Sequence, residues 1–140
     1  MKVFNTMATS GSALTAEKLR LDIIANNMAN VNTTRTPEGG PYRRQVALFA
    51  QNLERASQGR GAQSSGVRVS QVAHDPTPPR MVHEPDHPDA DDDGYLALPN
   101  VDVVKEMVDM ITASRSYEAN VTTLNAAKNM FLKALEIGRG

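Results

Sequence analysis

From Asn100 onward the chain contains no proline, and Val103, Met110, Tyr117, Leu124 and Phe131 recur at every seventh residue without a break. Such a column marks a helix that buries one narrow stripe against a partner. Met107, Val121 and Leu135 supply part of a second column, which Ser114 and Lys128 interrupt. A polar residue in a seam more often sets register or partner than performs chemistry. The pattern predicts a helix from about Val101 to Ile137, with Asn100 as N-cap, Asp102 and Glu106 at the positive end of the helix dipole and Gly138 as the stop. At 1.5 Å per residue it is roughly 55 Å long, more than a compact domain of 140 residues needs.

The other end repeats the theme less cleanly. Lys2 to Thr34 is free of proline, and Met7, Leu14, Leu21 and Met28 form a seven-residue column beside Val3, Ile24 and Val31. Ser10 and Glu17 stand where that second column would continue. Asn26, Asn27, Asn30 and Asn32, followed by Thr33 and Thr34, weaken the helix unless their amides find partners. Two readings stay open: a frayed end with an Asn cap, or a helix end that docks by amide hydrogen bonds.

Between the two stripes, residues 35–99 hold all eight prolines. Short β-type runs occur at Tyr42 to Phe49, Val67 to Val72, Arg80 to His83 and Tyr95 to Leu98, and Ala56 to Gly66 reads as a mobile polar loop. The expected class is α+β: long N- and C-terminal helices packing as a coiled-coil-like pair or with neighbouring subunits, plus a small β-rich middle. The expected divisions are 1–34, 35–99 and 100–140. About ten large side chains lie on the helical columns, each contributing roughly 1.5 to 3 kcal/mol when buried. They need each other, as in a closed antiparallel hairpin, or other chains.

Charge and composition narrow the function. Fifteen Lys and Arg against 16 Asp and Glu leave no basic excess for a nucleic-acid backbone. Arg43 and Arg44 beside Tyr42 read as surface charges in a strand. The absence of Cys removes disulfides, thiolate metal sites and a cysteine nucleophile. No apolar run is long enough for a membrane span, and the first dozen residues do not resemble a cleavable leader. His83-Glu84-Pro85-Asp86-His87 spells the zinc-hydrolase string H-E-x-x-H, but Pro85 and Pro88 forbid the helix that chemistry requires. Asp89-Ala90-Asp91-Asp92-Asp93-Gly94 opens like a calcium loop, yet its twelfth position is Asn100 where a bidentate Glu belongs. No cofactor or metal site is expected. Two rivals remain for testing: a loop-coordinated metal-dependent hydrolase using His83, Glu84, His87 and Asp89, and a soluble helical adaptor.

The segment Leu21-Asp22-Ile23-Ile24-Ala25-Asn26-Asn27-Met28-Ala29-Asn30-Val31-Asn32-Thr33-Thr34 resembles the N-terminal signature of bacterial flagellar rod, hook and hook–filament junction proteins. Its continuation through Arg35-Thr36-Pro37 and Tyr42-Arg43-Arg44-Gln45 is similar to proximal rod subunits of that family. So are His87-Pro88-Asp89-Ala90, Pro99-Asn100-Val101, Glu106-Met107-Val108 and Ser114-Arg115-Ser116-Tyr117-Glu118-Ala119-Asn120-Val121. The resemblance implies a non-enzymatic structural subunit of the flagellar basal body, exported without a cleaved signal by the flagellar type III apparatus into the periplasmic rod. Its implied partners are other rod subunits and the rod-to-membrane-ring adaptor in a hetero-oligomeric tube, with no nucleic acid and no membrane insertion. The expected subunit interface comprises Met7, Leu14, Leu21, Asn26, Asn27, Met28, Asn30 and Val31, with Val103, Met107, Met110, Tyr117, Val121, Leu124, Phe131 and Leu135 from the second helix.

Overall fold

The structure is a computed structural model that describes residues 2–54 and 63–138, and it is α+β. In chain order it contains α1 (Lys2–Ala29), β1 (Gln45–Glu54), β2 (Gln63–His74), β3 (Arg80–His83), β4 (Tyr95–Leu98) and α2 (Val103–Ile137). The 35 residues of α2 make a rod roughly 52 Å long. Asp102, not Asn100, is its N-cap: Asp102 has extended backbone angles (φ −101°, ψ 111°), and its side chain accepts from the Val104 and Lys105 amides at 2.9 and 3.3 Å. Asn100 is drawn away into other bonds, described below.

The two helices pack against each other within the chain. They run antiparallel, since Asn27 meets Glu106 while Arg20, two turns earlier, meets Asp109. On α2 the inward positions are Glu106, Met110, Ala113, Tyr117, Asn120, Leu124, Ala127 and Phe131, alternating steps of four and three. Met110, Tyr117, Leu124 and Phe131 are therefore seam residues, as their spacing predicts. The companion column differs from expectation: it is Glu106, Ala113, Asn120 and Ala127, while Met107 and Leu135 stand about half exposed and Val103 is also exposed. Ala113 and Ala127 are fully buried or nearly so, because small side chains let two backbones approach closely. A search for large apolar residues overlooks them.

Helix α1 is shared between two neighbours, contacting α2 on one side and the β1–β2 hairpin on the other. Ser10, Leu14, Glu17, Leu21, Ile24 and Met28 follow the same four-three spacing, so the polar Ser10 and Glu17 belong to the stripe that they seemed to interrupt. At β2 the approach is tight. Gly66 (φ +104°) lies against Ser12, so that a Cβ there would overlap the Ser12 hydroxyl, and the Val67 amide donates to Ser12 Oγ at 3.1 Å.

The helix ends at Ala29, short of the expected Thr34. Asn30 Nδ2 donates to the Asn26 carbonyl at 2.9 Å, and the Thr33 amide turns back to Asn30 O at 3.1 Å. These bonds replace the helical ladder, and Val31 lies in the following turn instead of on the α1 stripe. Strands β1 and β2 are antiparallel from Gln45↔His74 to Glu54↔Gln63, with irregularities after Leu48 and Gln51. β1 starts at Gln45, three residues after the expected Tyr42, and continues past Phe49 to Glu54, while β2 extends beyond Val67–Val72 at both ends, so Gln63 to Gly66, expected in a loop, are strand; residues 55–62 of that expected loop lie outside the described residues. Strands β3 and β4 coincide with the expected runs, and they pair antiparallel from Arg80↔Leu98 to His83↔Tyr95.

Candidate functional site

Glu106, one turn into α2, is the largest wholly buried side chain among the described residues. A lone buried carboxylate would be very costly, so its partners are decisive. Oε1 accepts from Arg44 Nε at 2.6 Å, and Oε2 accepts from Asn27 Nδ2 at 3.1 Å. Arg44 extends the joint: Nη1 reaches Asp75 Oδ2 at 3.3 Å and Nη2 reaches Asp109 Oδ2 at 3.4 Å. Arg20 approaches the other Asp109 oxygen at 3.9 Å.

Asn27 uses both ends of its amide. Nδ2 also donates to the Gln45 carbonyl at 2.9 Å, while Oδ1 accepts from the Gln45 amide at 2.9 Å and from the Tyr42 hydroxyl at 3.0 Å. Asn100 stitches the far side, accepting from the Arg44 amide at 2.8 Å and donating to the Asp75 and Thr77 carbonyls at 3.3 and 2.9 Å. The joint thus brings together the end of α1, the approach to β1, the exit from β2 and the start of α2.

Electrostatics follow from this geometry. Burial, aided by the Glu106 charge, raises the Tyr42 hydroxyl above its ordinary pKa and keeps it a proton donor to Asn27. Burial pulls the Arg44 pKa down, but Glu106 and Asp75 outweigh it and hold the guanidinium more firmly charged than usual. The Asp75 carboxyl lies below its ordinary value, first because Thr77 donates hydroxyl and amide to it and then because Arg44 is near.

Sequence reasoning placed Arg44 on the surface and Glu106 merely at the helix dipole; Arg44 is instead only 12% exposed and Glu106 is inside. The available signal was spacing, because Glu106 falls four residues before Met110 on the buried stripe. Of the Asn cluster, Asn27 realises the docking alternative within the chain, while Asn26 is exposed and Asn30 closes the helix end. Met7, Leu14, Leu21, Met28, Val31, Met110, Tyr117, Val121, Leu124 and Phe131 are half-buried.

The acidic loop between β3 and β4 is occupied with local bonding. Asp91 Oδ1 accepts from the Asp93 and Tyr95 amides at 3.1 and 2.7 Å, and His87 Nδ1 accepts from the Asp89 amide at 3.1 Å. Asp89 pairs with Arg35 at 3.2 Å and accepts from Thr34 at 2.8 Å. His83 stands edge-on to Tyr95 at 5.2 Å. Among the described residues, no group of three His, Cys, Asp or Glu side chains is placed to hold a metal.

A second feature lies on the outside of α2. Val104, Met107, Val108 and Ile111 near its start, and Met130, Leu132 and Ile137 near its end, are exposed apolar side chains. Sequence reasoning named only Met107 among them. The adjacent apolar pairs Val103-Val104, Met107-Val108 and Met110-Ile111 were the signal that the stripe is wider than one seam.

Comparison with known proteins decides what this arrangement belongs to. Residues 7–35 match the family described as flagella basal body rod protein, and residues 92–137 match the flagellar basal body rod FlgEFG protein C-terminal family. The flagellar basal-body rod protein FlgC of Borreliella burgdorferi is 44% identical over all of both chains. FlgC of Bacillus subtilis (strain 168) is 43% identical, covering 99% of this chain and 100% of its own. FlgC of an Escherichia coli strain is 44% identical with the same coverage. The chain belongs to the FlgC family. It is a structural subunit of the flagellar basal-body rod, assembled with other rod and basal-body components, and not an enzyme. The hydrolase and free-adaptor alternatives have no support in the FlgC family.

Proposed function

We propose that this chain is a proximal rod subunit whose helix pair lies in the inner layer of a hetero-oligomeric tube, with the β-rich middle forming an outer layer. Residues 1–34 and 100–140 act as the axial parts and 35–99 as the outer one. Its partners are other rod subunits and the rod-to-membrane-ring adaptor, and it reaches the periplasm through the flagellar type III apparatus without losing a leader. No helix among the described residues is long and apolar enough to cross a membrane.

The supporting observation is the outward face of α2, where Val104 is 70%, Ile111 55% and Met130 63% exposed. Exposed apolar patches on a protein mark interaction surfaces, and each such side chain gains roughly 1.5 to 3 kcal/mol when buried. Contacts between unlike surfaces propagate along a tube instead of closing a dimer. The interface therefore centres on Val103, Met107 and Leu135 of the expected set, extended by Val104, Val108 and Ile111, while the half-buried seam residues hold the subunit's own helices in place.

A photo-crosslinking residue at Ile111, activated in cells before basal bodies are isolated, tests this. The expected product is an adduct with another rod subunit, identified by mass spectrometry. Basal bodies that contain the chain but yield no adduct from Ile111 contradict the placement of α2.

A further inference from the structure

Resting on the rod-subunit reading, we infer that Arg44, Glu106 and Asn27 are positioning residues that fix the attitude of the β1–β2 layer on the helix pair, so that load passes between the two layers without slip.

Three observations carry this. The bonds at the centre of the joint cross between segments distant in sequence: Asn27 to Gln45, Arg44 to Glu106 and Asn27 to Glu106. The joint unites both helices and the β1–β2 hairpin through hydrogen-bonded side chains, whereas the Ser12 bond to Val67 links only α1 and β2. The seam around the joint is apolar, with Ile24 and Ala113 buried and Met110 half-buried. Apolar contact there is non-directional and tolerates sliding, whereas a planar guanidinium bonded to three carboxylates admits one orientation.

The joint is also a poor source of net stability. Desolvating Arg44 and Glu106 offsets much of their attraction, and buried ion pairs replaced by apolar side chains of similar volume often leave a protein equally stable. What the pair supplies is geometry. A folded variant without it is attainable, because Arg44→Met/Glu106→Leu removes both charges together. Asn27 then keeps its bonds to Gln45 and Tyr42, and Asp75 and Asp109, with side chains 21% and 32% exposed, can be hydrated.

The test is complementation of a strain lacking its own subunit, with swimming speed followed as medium viscosity, and hence torque per rod, is raised. Full chain carrying Arg44→Met/Glu106→Leu is expected to be secreted and to melt no lower than wild type when purified. Its swimming speed relative to wild type is expected to fall as viscosity rises, or to be lost altogether. Swimming at a non-zero fraction of wild-type speed that does not change with viscosity, wild-type speed included, would overturn the inference. So would a lowered melting temperature or failed secretion, because either means that the pair supplies stability and not orientation. Failure of the wild-type gene itself to restore swimming would instead sink the rod-subunit reading, which keeps the two claims separable.

Discussion

Removing one partner of the Arg44–Glu106 pair is a different experiment from removing both. Arg44→Met leaves a wholly buried Glu106 with only the Asn27 amide as a side-chain partner, and an uncompensated buried charge costs about 3 to 5 kcal/mol. Glu106→Leu leaves Arg44 still facing Asp75 and Asp109, so its cost is smaller. Urea unfolding of the two single variants should show that asymmetry; equal losses would mean that Glu106 is not the strained partner. The same joint sets the response to pH. Tyr42 has its pKa raised in the folded state by burial and then by Glu106, so its contribution is complete below about pH 10, the unfolded value, and is lost as pH rises towards the folded one. Asp75 is lowered by its Thr77 bonds and then by Arg44. Its contribution is therefore present above about pH 4 and lost as pH falls from there through the folded value. Unfolding followed across both limits should show Asp75→Asn flattening the acid limb alone and Tyr42→Phe the alkaline limb alone.

The helix seam and the α1–β2 contact make predictions of their own. Ala113 and Ala127 are 0% and 2% exposed, so Ala113→Leu or Ala127→Leu must force the helices apart at about 1 to 3 kcal/mol each, measurable by thermal unfolding. Gly66→Ala should also destabilise, since Gly66 has φ +104° and sits against Ser12 and the Thr9 backbone. These positions also show what the sequence can and cannot reveal. Seven-residue spacing was enough to find Met110, Tyr117, Leu124 and Phe131, and turn residues bounded β3 and β4 correctly, because those signals are local. The buried alanines were missed because closeness of two backbones, not side-chain size, places a small residue in a seam. The N-cap was misassigned because Asn100 and Asp102 can both cap, and only the fold reveals that Asn100 is claimed by Arg44, Asp75 and Thr77. Arg44 was illegible for the same reason: its side-chain partners lie just after β2 and on α2, up to 65 residues away.

At the scale of the whole molecule, the chain packs α1 onto α2 in its inner seam and leaves the outer face of α2 exposed, the face proposed above to meet its neighbours. That division changes which substitution is informative. Leu124 is half-buried in the intramolecular seam, so Leu124→Asp would damage the subunit as well as the rod. Ile111 is 55% exposed, so Ile111→Asp should change stability by less than about 0.5 kcal/mol while placing a carboxylate in an apolar contact between subunits. Asp92→Ala, in the exposed acidic loop, is the matched control. The most direct measurement is the yield of complete basal bodies from a strain lacking its own subunit, complemented with each variant, with secretion and unfolding checked for both. The account predicts that Ile111→Asp is folded and secreted but yields few complete rods, whereas Asp92→Ala yields as many as wild type. Wild-type numbers of rods from a secreted Ile111→Asp chain would contradict the claim that the outer face of α2 builds the rod.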